Sequence, residues 1–270
     1  MSFAVISCGF VSAFRKLTLG TVPRRTFPVE LDEKTVGQLL NPDQKTIYRV
    51  GGIAAIFLAL GYVALIPLYA KVGAPPSGGD AWFKYLNGKT TIWWWIVVLC
   101  VVTDFLFVPV AWALYLALKD AGRNAMLLAT VFVGLFVVLD LAVTWSHYAS
   151  ILVLYANYTA ASDEALRMGY LAAANYGSAM LTSRLEIVYS IVTLSFGILV
   201  TGCVMLRGIF NKITAYLAFA TGILGFAAPM RLSVAIIGNA LCATAWLFLV
   251  GYRLCQLAKD PSKVVSKAVR

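Results

Sequence analysis

Residues 92–118 read IWWWIVVLCVVTDFLFVPVAWALYLAL, a run whose single charged residue is Asp104. As a helix it reaches about 40 Å, more than the ~30 Å of a bilayer's hydrocarbon core. Backbone groups in hydrocarbon find no water, so a run of this kind has to be helical. Lys119–Asn124 (KDAGRN) follows as a tight, charged turn. A third stretch starts near Ala125 and stays helix-compatible past Trp145, as far as Asn157. At about 50 Å it overshoots the hydrocarbon, so its last turns project from the membrane or the helix breaks near Trp145.

The same pattern recurs on both sides. Apolar runs occupy about Gly52–Ala70, Leu185–Leu206, Ile213–Ala228 and Leu232–Leu254. With 61% hydrophobic residues and 13% charged, the 270-residue chain has too few charges to keep a water-facing surface wet. The expected fold is therefore all-α, a polytopic bundle of six spanning helices. It divides into an N-terminal cytoplasmic or interfacial segment (1–49), a transmembrane domain (50–256) and a basic cytoplasmic tail (257–270). Phe3–Phe14 is apolar but too short to span. Arg15-Lys16 follows that stretch, the reverse of the order in a signal peptide, so it reads as an interfacial helix or a tail.

Gly51, Ala55 and Ala59 recur every four residues and give the first span a smooth face for close helix contact. Gly73–Gly79 (GAPPSGG) is a loop, and Asp80 reads as the N-cap of a short helix ending at Leu86. Trp93, Trp94 and Trp95 form a tryptophan run of the kind found at headgroup level. Ser162-Asp163-Glu164 starts a further helix over Ala165–Leu181, expected outside the membrane. Ser183 to Glu186 fits a capping box for the fourth span.

Orientation follows from Lys and Arg. With the N-terminus inside, 16 of the 22 fall on the cytoplasmic side and six outside, a bias that holds loop by loop. Both termini are then cytoplasmic in a plasma membrane. The net charge of +10 is directed at anionic lipid headgroups, since no nucleic-acid motif accompanies it. The elaborated connections, with their extra short helices, face outward.

Asp104 lies mid-span and Asp140 in the outer third of the third span. Carboxylates in lipid face the bundle interior and often mark a site. Asp140, Thr144 and His147, at i, i+4 and i+7, share one helical face. Glu186, Tyr189, Ser190 and Thr193 form a second polar face, with Arg184 and Arg231 at the same boundary. Asp104, Asp140, Thr144, His147, Arg184, Glu186 and Tyr189 are therefore the candidate polar pocket, opening outward beneath Ala165–Leu181. Plainer roles are available to each: Glu186 as the capping carboxylate, Asp140 as a tie between helices, His147 as an interfacial residue.

One histidine without paired ligand spacing does not make a metal site, and no cofactor is expected. His147 and Asp140 are too far apart for a catalytic triad, and no lysine lies within a span to hold a retinal Schiff base. Cys8, Cys100, Cys203, Cys242 and Cys255 show no CxxC spacing, and the three within spans read as packing residues. Asn157-Tyr158-Thr159 matches the glycosylation sequon on the expected outer side.

Four segments carry a family resemblance: Asp104–Lys119 (DFLFVPVAWALYLALK), Val138–Ala149 (VLDLAVTWSHYA), Ala172–Ala179 (AAANYGSA) and Val204–Gly225 (VMLRGIFNKITAYLAFATGILG). Over residues 46–230 the chain resembles an archaeal and bacterial family of multi-pass membrane proteins defined as a domain of unknown function, of the 4386 type. The resemblance implies a multi-helix membrane domain and brings no activity, ligand or catalytic residue.

The leading functional expectation is a non-enzymatic membrane protein that senses or binds a small molecule or lipid in the outward-facing pocket. The alternative is a small secondary transporter or proton-coupled carrier, with Asp104 and Asp140 as relay carboxylates. Against it stands the apolar inner half of every span, where Pro109 is the one candidate helix breaker. A lipid-modifying enzyme using His147 and Asp140 as acid and base is the weakest of the three.

Overall fold

A computed structural model describes residues 42–230 and 232–259. Every regular element among them is helical. In chain order they are α1 (Pro42–Val72), α2 (Gly79–Leu86), α3 (Thr90–Leu139), a π-helical segment (Asp140–Trp145) and α4 (Ser146–Ala160). There follow α5 (Glu164–Leu181), α6 (Arg184–Ile187), a second π-helical segment (Val188–Val192), α7 (Thr193–Met205), α8 (Lys212–Ala227), a 3-10 turn (Ala228–Met230) and α9 (Ser233–Lys259). Phe3–Phe14, Cys8, Arg231 and the tail from residue 260 lie outside the described residues.

Five helical runs are long and apolar enough to cross a membrane: residues 43–72, 90–160, 184–205, 212–230 and 234–259. The second, 71 residues long, is a hairpin. Its helix is interrupted at Gly122, whose backbone (φ −177°, ψ 75°) is not helical. The rings of Phe107 and Phe136 lie 5.4 Å apart, and those of Trp93 and Tyr148 5.2 Å. A straight helix would hold the first pair about 44 Å apart. The arms, 90–121 and 123–160, are therefore antiparallel, turned at the expected KDAGRN loop. Helices outrun the apolar windows: α1 begins ten residues before Gly52, because backbone hydrogen bonding continues into water after the hydrocarbon ends.

The helices close a ring in the order α1, the two arms of α3–α4, α7, α8, α9 and back to α1. Close approach rests on small residues. Ala55 and Ala59 are fully buried, and a Cβ on Gly51 would overlap Ala113 of the first arm. Asn239 of α9 ties three helices by donating to Ser195 Oγ (3.2 Å) and to the Thr221 carbonyl (2.7 Å). The outside of the ring is apolar, with Phe57, Phe105, Val138, Ile223 and Leu241 all more than half exposed. A water-soluble bundle would bury such residues, so this exterior suits lipid.

One end of the bundle carries the turns at Gly122 and 206–211 (the turn end); Arg253 of α9 holds the latter by donating to the Ile209 carbonyl from both Nε and Nη2, at 3.2 and 2.8 Å. The other, the cap end, carries α2, α5 and α6. Asp163 caps α5 by accepting from the Ala165 N–H (3.1 Å), as expected. Asp80 does not cap α2. It sits inside the first turn and pairs with Lys84 (2.7 Å), while the α2 N-terminus is satisfied from α5: Gly78 and Gly79 N–H groups donate to Ser178 Oγ (2.7 Å) and Asn175 Oδ1 (2.6 Å). The AAANYGSA segment thus staples α2 to α5. The tryptophan run also divides: successive residues point about 100° apart on a helix, so Trp95 faces out while Trp93 is fully buried.

Two hydrophobic clusters fill the interior. One, toward the turn end, includes Leu58, Phe107, Phe136, Met205 and Leu247. The other, toward the cap end, is aromatic and includes Trp82, Phe83, Trp93, Ile151 and Leu152.

Candidate functional site

The seam between these clusters holds the two buried carboxyls. Asp104 sits between Cys100 of the aromatic cluster and Phe107 of the other; Asp140 sits between Val137 and Ile151. They are 3% and 5% exposed, and their carboxyl groups are within hydrogen-bonding reach of one another. Asp104 and Asp140 are thus level, not at the two depths the sequence suggested. Antiparallel pairing of the arms brings them to one height.

Trp145 Nε1 donates to Asp140 Oδ2 (3.1 Å) and also lies within reach of the Asp104 carboxyl. Asp104 Oδ2 and Asp140 Oδ1 are buried without a hydrogen-bond partner. The site's walls bring Tyr62 of α1, whose ring lies 6.4 Å from Phe107, and Thr103, whose hydroxyl donates to the Cys100 carbonyl (2.7 Å). Gly61 of α1 is needed here: a Cβ would stand 2.6 Å from the Thr103 methyl.

The local fold explains the Trp145 contact. Asp140–Trp145 is π-helical, so residues five apart stack. An α-helical reading puts Thr144 and His147 on the Asp140 face; the wider turn brings Trp145 there as well. The second π segment lies beside the first. In it Thr193 Oγ1 donates five residues back, to the Val188 carbonyl (2.7 Å).

Thr144 is buried beside Asp140 and donates to Glu186 Oε1 (3.2 Å), joining the second arm to α6. Ser183 caps α6, accepting from the Leu185 N–H (3.2 Å), and Glu186 accepts from Thr144. The other candidates stay outside this chain of contacts. His147 Nδ1 bonds to the Val143 carbonyl of its own helix, and its ring lies 6.1 Å from Tyr176 of α5. Arg184 is exposed and Tyr189 half-buried. Asn157 of the sequon is exposed near the end of α4.

No family model, curated protein or solved structure matches this chain.

From the seam toward the cap end runs an unbroken aromatic stack. Trp145 contacts Tyr148 (5.5 Å), Tyr148 stacks on Trp93, and Trp93 meets Trp82 (5.4 Å) and Tyr85 (6.2 Å). Tyr85 ends it in the cap: its hydroxyl donates to the Gly73 carbonyl (3.0 Å) and accepts from Trp93 Nε1 (3.3 Å). Burial pushes the Tyr85 phenol up, with the Trp93 bond opposing. Toward the turn end the seam gives way to a small cavity lined by Phe107, Val110, Met126, Val133, Ile198 and Trp246. It has room for a water-sized guest, and its lining is mostly apolar but includes Thr130 and Thr201.

The arrangement can hold a proton. Each aspartate costs about 2.5–3.5 kcal/mol to place mid-membrane. A bond such as Trp145's returns about 0.6–2 kcal/mol. One proton held between the carboxyls turns one of them into a donor to the other and removes a charge.

Proposed function

We propose that this chain is a six-span membrane protein that takes up and releases a proton at the Asp104–Asp140 pair, as a small proton-coupled carrier. What carries the reading is two contacting buried carboxyls with unpartnered oxygens at the seam of an apolar bundle. Paired acids inside a membrane bundle are a recurrent means of moving protons. Six crossings count each arm of the hairpin separately. The cap end is then external and the turn end cytoplasmic, in a plasma membrane. Lys119, Arg123, Arg207, Lys212 and Arg253 at the turn end favour that orientation and an anionic lipid surface. The resemblance over residues 46–230 to the domain-of-unknown-function family belongs to the same reading.

An external pocket for a small molecule or lipid ranks second. Thr144 and Glu186 are hydrogen-bonded to each other, and the cavity described above lies on the other side of the seam, with a mostly apolar lining. The test uses full-length protein in proteoliposomes with a pH-reporting dye in the lumen. Cations, amino acids and organic acids are offered singly from outside. At least one solute should shift lumenal pH with wild-type protein, and the shift should vanish with Asp104→Asn/Asp140→Asn. A pH shift that survives the double substitution, or none with any solute, contradicts the proposal.

A further inference from the structure

The carboxyl pair has different neighbours on its two sides. Toward the turn end, beyond Phe107, lies the mostly apolar cavity that reaches to Trp246 and that neither aspartate lines. Toward the cap end its neighbour is Thr144, four residues on from Asp140 in the same π-helical segment, whose hydroxyl donates to Glu186 Oε1 (3.2 Å). A hydroxyl carries one donor and two lone pairs, so it can accept from one acid while donating to another. Thr144 already donates to Glu186 Oε1, leaving its lone pairs free to accept from Asp140. Glu186 is half-buried, at the start of α6 beneath exposed Arg184.

We infer that Asp140, Thr144 and Glu186 form a hydroxyl-bridged proton relay joining the buried pair to the cap-end surface. This inference rests on the proton-exchange reading of the pair. In the release direction the Asp140 proton bonds to Thr144 Oγ, the Thr144 proton passes to Glu186 Oε1, and rotation of the hydroxyl resets it. Uptake runs the same steps backward, so no oxidant or other reactant is needed. The other titratable groups around the relay include Asp104 and Cys100 on the first arm, Tyr62 and Tyr69 on α1, His147 and Tyr148 on α4 and Arg184 on α6. Tyr148 lies within electrostatic reach of both Asp140 and Glu186, whereas Thr144 is hydrogen-bonded to Glu186. Thr144 is a positioning residue and proton conduit; the acids at either end hold the charge.

The relay makes a kinetic prediction that a packing role does not. Full-length protein in lipid nanodiscs is subjected to a rapid pH jump, and the carboxylic C=O infrared band of the pair is followed in time. Thr144→Val keeps shape and removes the hydroxyl. It should slow the response by at least about tenfold while leaving the final amplitude unchanged. Thr144→Ser restores the hydroxyl and should restore the rate, and Glu186→Gln should slow it as Thr144→Val does. If Thr144→Val responds at the wild-type rate while Asp104→Asn and Asp140→Asn abolish the band, the relay is wrong and the pair's proton exchange stands. If wild-type protein shows no responding band, the proton-exchange reading fails and the relay with it. If Thr144→Ser stays as slow as Thr144→Val with an unchanged final amplitude, the hydroxyl is not the conduit and the relay is overturned.

Discussion

The two halves of the bundle are built on different principles. Toward the turn end the spanning helices are α-helical, and they approach closely where small residues meet: Gly202 lies against Ala218, and Gly52 against Cys255. Toward the cap end both π-helical segments occur, the interior is aromatic, and polar groups bond between elements. A π turn inserts an extra residue and weakens the local ladder, which selection retains mainly where a side chain must be re-aimed. Here it aims Trp145 at the acids. The contrast teaches that close helix packing and polar contacts between elements are concentrated in different halves of one bundle.

That division can be broken by substitution. Asp104→Asn/Asp140→Asn should abolish proton-coupled flux in proteoliposomes and leave the thermal midpoint near wild type, since removing both members leaves no lone charge behind. A collapse in stability would show the acids to be structural. Gly202→Leu should do the opposite. A Cβ there already meets Ala218 at 2.7 Å, so a larger side chain should cost about 1–3 kcal/mol in a detergent unfolding assay. In the folded fraction, flux should be retained.

Arg253→Met removes both bonds to Ile209 and should destabilise by about 1.5–3 kcal/mol at most, again without touching flux. Asp80→Asn, in the cap but away from the seam, should leave the melting temperature unchanged. Asp80 raises the Lys84 ammonium above its ordinary range, so whatever the pair adds is present at neutral pH and lost as pH rises through lysine titration. Both side chains are solvent-exposed, and such pairs contribute little.

The turn half was the more legible in sequence. Apolar runs mark where hydrocarbon lies, KDAGRN marks the hairpin, and the Gly51–Ala55–Ala59 spacing marks a packing face that α1 does use against the first arm. The cap half was readable residue by residue but not in its geometry. Asp104, Asp140, Thr144 and Glu186 stand out as polar groups in apolar context, and they pair off as Asp104 with Asp140 and Thr144 with Glu186. Trp145 stands out as the place where the over-long third helix is expected to break, and the α-helix does give way to a π turn there, but a 3.6-residue period places Trp145 off the Asp140 face and gives no sign of its bond to Asp140. The contact between Asp104 and Asp140 depends on the register of two antiparallel arms, which composition does not encode. His147, the chain's one histidine, drew notice by its rarity, yet its ring bonds its own backbone. Asn175 and Ser178 carry no signal in the sequence for the contact they make, accepting from the N–H groups at the α2 N-terminus.

The most direct test of the shared proton is equilibrium infrared spectroscopy of the full-length protein in nanodiscs at neutral pH. A protonated carboxyl band, shifted in D2O and lost in both Asp104→Asn and Asp140→Asn, is the result this account requires. A spectrum with no such band, or one whose band survives both substitutions, would contradict it.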